Sequence, residues 1–270
     1  MRKVVFRTRG QTRGPITRLM SPGDLGQNLK PFVFLDLATP EPGPDGFFRW
    51  HPHSGIATVT VILKGAVRYQ ETTGATGTLG AGAVEWMASG AGVWHTGAPI
   101  GTERLLGFQL WIALGPDREM RPPASQYLNA DAVQSEGPAR VILGAYGAAS
   151  SPIDAPPGVT YLDVRLAAGE SWTFKPEASQ TIAWLAIYEG SIEGACSASF
   201  GDMVIFEEGN GEITISASAP AGFVLGAAAK LPHDLHIGHH SVHTSAEALQ
   251  RGEAEIVRIG SELRVSGLLS

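Results

Sequence analysis

Apolar and polar positions alternate in short runs along most of the chain, and glycine, proline or aspartate closes nearly every run. Successive side chains of a strand point to opposite faces, so such period-two runs read as β-strands. In the first half they predict strands over 3–9, 16–20, 31–37, 58–63, 66–71, 77–79, 83–87 and 105–114. Turn signals separate them at Ser21-Pro22-Gly23-Asp24, Lys64-Gly65, Thr73-Gly74, Thr76-Gly77 and Gly80 to Gly82, and the proline-rich run 40–46 reads as a loop. The second half repeats the scheme with strands over 139–146, 160–166, 171–174, 181–188 and 201–206. Lys64-Gly65 followed by Gly82-Ala-Val-Glu-Trp86 parallels Glu189-Gly190 followed by Gly201-Asp-Met-Val-Ile205, which predicts an internal repeat of one unit. Only near the end does the period change. Thr244-Ser-Ala-Glu247 has the form of a capping box ahead of apolar positions at Ala248, Leu249, Ile256 and Val257, predicting a helix over 245–258.

Composition sharpens this to an all-β chain. Its 34 glycines and 18 prolines in 270 residues exceed the average combined share of about 12%, as many tight turns between short strands require. The length suits two domains, with a boundary over 131–138 that gives 1–130 and 139–270. A net charge of −6 without a lysine or arginine run excludes the basic footprint of a direct nucleic-acid binder. No apolar run reaches the roughly 18 residues of a membrane span, and Met1-Arg-Lys-Val-Val-Phe-Arg7 does not open like a signal peptide, so a cytoplasmic location is expected. A single cysteine, Cys196, excludes an internal disulfide and reads as a buried, inert thiol.

The candidate chemistry lies in His51, His53 and His95. His51 and His53 stand two apart, so an extended strand presents both imidazoles on one face. The turns between His53 and His95 let the chain reverse several times and bring His95 back. Neutral imidazole is the commonest protein ligand for divalent transition metals, although a lone His-x-His is also a frequent surface or hydrogen-bonded arrangement. A second histidine group, His233, His236, His239, His240 and His243, is dense enough to consider as a second metal site but fits no single zinc spacing without arbitrary choice.

Several motifs in order resemble the pirin family of two-domain cupins: His51-Pro-His53-x-Gly55, Thr58-Val-Thr60, Gly82-x-Val-x-Trp86-Met87-x-x-Gly90-x-Gly92-x-x-His95, and Gly107-Phe-Gln-Leu-Trp111. The resemblance is strong over 29–127. It implies a bicupin, two cupin β-barrels or jelly rolls in tandem with a short C-terminal helix, and one metal in the N-terminal barrel. Pirin relatives hold that metal with three histidines and a glutamate two residues after the last. Here the matching histidines are His51, His53 and His95, and the glutamate position is Gly97. Ala57 likewise replaces the glutamate of the family's His-Pro-His-Arg-Gly-Phe-Glu-Thr run. The second half has no His-x-His before Glu189-Gly190, so its barrel should lack a metal at the equivalent place.

Two functions follow from the resemblance. One is a quercetin 2,3-dioxygenase-like oxidoreductase acting on a small aromatic substrate such as a flavonol, with a divalent metal that is Fe(II) by resemblance and Zn, Ni or Cu by ligand chemistry. The other is a non-catalytic regulatory cupin that binds a protein partner, its metal site degenerate or empty through the loss at Gly97.

Overall fold

The computed structural model describes residues 2–43 and 48–269, so 44–46 of the predicted 40–46 loop lie outside the described residues. The chain forms two compact units. One comprises Met20–Ala130 with Leu231–Ser270, and the other Met1–Leu19 with Asp131–Lys230. Each consists of antiparallel sheets, and the fold is that of a bicupin.

In the first unit the strands Ala124–Leu128, Val84–Ala88, Ile56–Lys64, Leu106–Ala113 and Phe32–Ala38 pair in that order. A second sheet orders Phe48–His53, Val93–Ile100, Ala66–Glu71 and Thr76–Gly80. Tyr69 and Tyr127, one from each sheet, stack with ring centroids 4.1 Å apart, so the two sheets face each other. Strand register fixes what points into the gap. Ser125, Met87, Thr58, Trp111 and Phe34 form one cross-strand row, and Tyr127, Glu85, Thr60, Gln109 and Asp36 the next. Opposite them, His51, His95 and Glu71 are cross-strand partners on one face of the second sheet.

In the other unit a seven-stranded sheet runs Val4–Thr8, Met203–Phe206, Ile182–Glu189, Ala221–Ala228, Val159–Leu166, Ala139–Leu143, Ser135–Glu136. Its inner face packs Leu162, Val164, Leu185, Ile187, Phe223 and Leu225 against Trp172, Phe174, Ile213 and Ile215. The interior is apolar where the first unit's is polar. The predicted turns at Lys64-Gly65 and Glu189-Gly190 both form, with Gly65 at φ 74° and Gly190 at φ 63°, a region that an L side chain rarely enters.

Each unit takes a terminal segment from beyond the contiguous divisions 1–130 and 139–270. Val4–Thr8 adds to the sheet at Met203–Phe206, and the Arg2 guanidinium donates to the carbonyls of Thr181 and Glu207. At the other end the C-terminal helix lies on the histidine-bearing strands, where Trp94 Nε1 donates to the carbonyl of Ile256 at 2.7 Å. Such pairings between distant segments leave no mark in local periodicity.

The helix spans Ala246–Val265, longer than predicted. Its buried stripe, Ala248, Gly252, Ile256, Gly260 and Leu263, continues past the predicted end at 258. The cap is Ser245, whose Oγ accepts from the Ala248 N–H, instead of Thr244. Thr244 is held elsewhere, its N–H and hydroxyl both donating to the Glu119 carboxylate. A short helix, Leu25–Leu29, capped by Asp24, had no periodic signal to announce it.

Candidate metal centre

The strand Phe48–His53 places His51 and His53 on one face, as the spacing of two requires, and pairs His51 with His95. Ring centroids are 4.3 Å apart for His51 and His95, and 5.0 Å for each of the other two pairs. The Nε2 atoms of His51 and His95 are 2.9 Å apart. All three residues offer ligand nitrogens within 4.8 Å of one another. Among the described residues no other group of histidine, cysteine or carboxylate side chains comes this close.

The donor set fits a metal ion. The Nδ1–H of His51 can donate to the Arg49 carbonyl at 2.7 Å, and that of His53 to the His240 carbonyl at 3.3 Å, which leaves each Nε2 with its lone pair turned inward. Two nitrogens at bonds of about 2.1 Å and a right angle to one ion would lie about 3.0 Å apart, close to the His51–His95 separation. Burial favours the neutral, ligating form. It lowers the pKa of His51 and, with the neighbouring imidazoles adding to it, holds His53 and His95 well below the ordinary value.

Gly97 lies two residues past His95 on the same strand and offers no ligand. Carboxylates nevertheless reach this interior from unmatched positions. Glu71, the cross-strand partner of His95, accepts from Tyr127 Oη and from Ser125 Oγ across the gap. Glu85 is buried beside it and accepts from Thr60 Oγ1. Burial pushes the Glu85 carboxyl up to about 7, the Thr60 hydroxyl opposing and the Glu71 charge adding to the rise. Thr58 Oγ1 and Gln109 Nε2, in the two rows facing the histidines, are buried without a hydrogen-bond partner. Trp111 stacks on Phe34 at 4.0 Å and sets its ring 4.9 Å from that of His53. Motif matching missed Glu71 and Glu85; alternation along 67, 69 and 71 was the available signal.

The five late histidines do not gather into a second centre. His236 and His243 pair across a short hairpin, and His240 comes to the first site, 6.3 Å from His51 and 6.2 Å from His53 by ring centroids. His243 is buried beneath the helix. Its Nε2 is 2.8 Å from Ser54 Oγ, and its Nδ1 is 3.3 Å from a Glu119 oxygen. Ser54 is fully buried and its hydroxyl donates to the Ala91 carbonyl, so this arrangement fastens the C-terminal segment and is closed to a substrate. Cys196 is half-buried, with burial pushing its thiol up to about 11, and so remains protonated at neutral pH.

Two tandem double-sheet units, one with a three-histidine cluster inside, define a two-domain cupin. The Pirin family model matches residues 13–112. A pirin-like protein of Caulobacter vibrioides is 33% identical over 190 residues, covering 67% of this chain and 68% of the relative. A putative quercetin 2,3-dioxygenase of Vibrio cholerae is 32% identical over 212 residues, covering 73% and 74%. In fold, the crystal structure of a quercetin 2,3-dioxygenase from Acinetobacter baumannii superposes with a TM-score of 0.86 at 23% identity, covering 96% of this chain and 97% of that one. The chain belongs to the pirin family.

Proposed function

We propose that this bicupin is a metal-dependent oxidoreductase that takes a small aromatic substrate of the flavonol class together with molecular oxygen. The observation that carries the reading is the convergence of the His51, His53 and His95 nitrogens on the wall of a polar interior. A divalent transition metal bound there would supply a Lewis acid and a path for electrons. His51, His53 and His95 would hold it, and their buried, neutral rings need no proton removed at neutral pH. Thr58 Oγ1 and Gln109 Nε2 would then hydrogen-bond a substrate's oxygens, and the Trp111–Phe34 stack would offer a flat surface to its ring. Glu85 supplies the proton acceptor that neither Gly97 nor Ala57 can. A carboxyl titrating near 7 is matched to taking a hydroxyl proton at neutral pH.

Gly97 favours a second reading, a cupin that binds a protein partner without turnover, because three neutral ligands leave the ion's full charge in place. Metal analysis of protein purified without a histidine tag, followed by oxygen uptake with flavonols, separates the two. The first reading expects about one divalent transition ion per chain and uptake that disappears in His53→Ala. Bound metal without uptake favours the second, and a protein that binds no divalent transition ion ends the metal reading.

A further inference from the structure

Beside the three histidines stands a fourth, from a part of the chain that motif matching leaves out. The hairpin of His236–Ile237 with Val242–His243 carries its turn over 238–241, closed by the Gly238 N–H donating to the Ser241 carbonyl at 2.9 Å. That turn is pinned beside the site. Ser241 bridges Ser54, the Val242 N–H donates to the Ser54 carbonyl at 3.2 Å, and Ser241 Oγ donates to Glu253 Oε1 at 2.8 Å. Its backbone already serves the centre, because the His240 carbonyl is the partner of His53 Nδ1.

We propose that His240 is a fourth, movable ligand of the metal held by His51, His53 and His95, filling from the C-terminal segment the coordination position that Gly97 leaves open. The inference rests on the metal reading above and adds the source of the fourth donor. Imidazoles bound at about 2.1 Å place their ring centroids about 3.2 Å from the ion, so two ligating rings stand about 4.5 Å apart at right angles and about 6.4 Å apart when opposed. The three clustered rings, at 4.3 to 5.0 Å, already fit adjacent positions. His240, at 6.3 Å and 6.2 Å from two of them, lies roughly 1.7 Å outside an adjacent position. Its half-buried side chain covers that gap by turning about its own bonds, with the backbone fixed. Nothing competes for the ring, since neither His240 nitrogen has a hydrogen-bond partner among the described residues.

The substitution changes the chemistry of the centre as well as its geometry. A fourth imidazole closes the coordination as the family glutamate would, yet leaves the double positive charge unneutralised. It also shifts preference from manganese toward nickel, copper or zinc, which imidazole suits better. A ligand on a hairpin turn, moreover, can leave when a substrate oxygen arrives, whereas a ligand on the central strand cannot.

The test is calorimetric titration of metal-stripped wild type, His240→Ala and His239→Ala with Zn(II) and Ni(II), with X-ray absorption counting imidazoles around bound Ni(II). His240→Ala keeps the backbone carbonyl for His53, so it isolates the ring. His239, exposed on the same turn with its ring 4.3 Å from that of His240, serves as control. The expected result is four imidazoles in wild type and three in His240→Ala, affinity at least about tenfold weaker in that variant, and no change in His239→Ala. Three imidazoles in wild type with unchanged affinity in His240→Ala would overturn the proposal and leave the three-histidine site intact. Absence of metal binding in wild type would instead remove the metal reading and this inference with it. The imidazole count in wild type decides the matter even if a variant folds poorly.

Discussion

A Cβ placed on Gly97 would come within 3.3 Å of Val67 Cγ1, on the face of the strand that also presents His95. Gly97 thus faces the interior, with Phe48 Cδ2 at 3.6 Å on the other side. Gly97→Glu should therefore restore a carboxylate toward the ion and tighten divalent metal binding by about tenfold or more, or about 1.4 kcal/mol for each factor of ten. The same change crowds Val67 and should lower stability by about 1–3 kcal/mol. Adding Val67→Ala should recover part of that loss without weakening the metal. Titration calorimetry and thermal melting of the two variants check both effects; unchanged affinity in Gly97→Glu would show that position 97 does not reach the ion.

Metal should stabilise the fold through the histidines. An ion present at a hundred times its dissociation constant adds about 2.7 kcal/mol to a native state that alone binds it. The melting temperature of wild type should rise with added Zn(II) or Ni(II), and that of His95→Ala should not. Equal shifts in the two proteins would point to binding elsewhere.

Glu85 gives stability a pH dependence whose sign is fixed by its raised pKa. Between the ordinary carboxyl value of 4.5 and about 7 the folded chain keeps this proton while the unfolded chain has lost it. Stability therefore falls as pH rises through that window and levels off above it. Glu85→Gln removes the dependence, so its stability relative to wild type should grow from pH 4.5 to 7, by up to a few kcal/mol at about 1.4 per unit. Denaturant melts at several pH values measure it, and a constant difference would count against a buried, proton-holding Glu85.

The imidazole of His243 lies between two glycines. A Cβ on Gly252 would stand 2.1 Å from Ser54 Oγ and 2.5 Å from His243 Nε2, and one on Gly55 would stand 2.7 Å from His243 Cε1. Alanine normally stabilises a helix over glycine by about 1 kcal/mol, but overpacking here costs about 1–3 kcal/mol. Gly252→Ala should therefore destabilise. His243→Ala should cost about 2–4 kcal/mol, because it removes a buried ring and leaves Ser54 and Glu119 short of a partner. Thermal unfolding decides both, and a Gly252→Ala protein more stable than wild type would mean that the helix does not press on His243.

Local rules carried the fold far. The spacing of two placed His51 and His53 together, the turns between returned His95, and alternation located the strands of both units. Where the chain closes on itself over long distances those rules were silent. Nothing in 231–245 announces that Ser241 will bridge Ser54, that His240 will stand by His51 and His53, or that Glu119 will draw Thr244 away from the cap. Glu71 and Glu85 were legible in part, since each sits on the inward phase of its strand. Their significance became visible only once register set Tyr127 and Thr60 beside them.

The crosswise division of the chain also sets an order of events during synthesis. The ribosome makes His51, His53 and His95 long before 231–270, and the whole span 131–230 of the other unit intervenes. A nascent chain stopped before Leu231 lacks the helix that covers Trp94, the imidazole that fills the space between Gly55 and Gly252, and the carbonyl that orients His53. The histidine cluster can take its final surroundings only after translation has passed this last segment, and so only after the whole of 131–230 has been made.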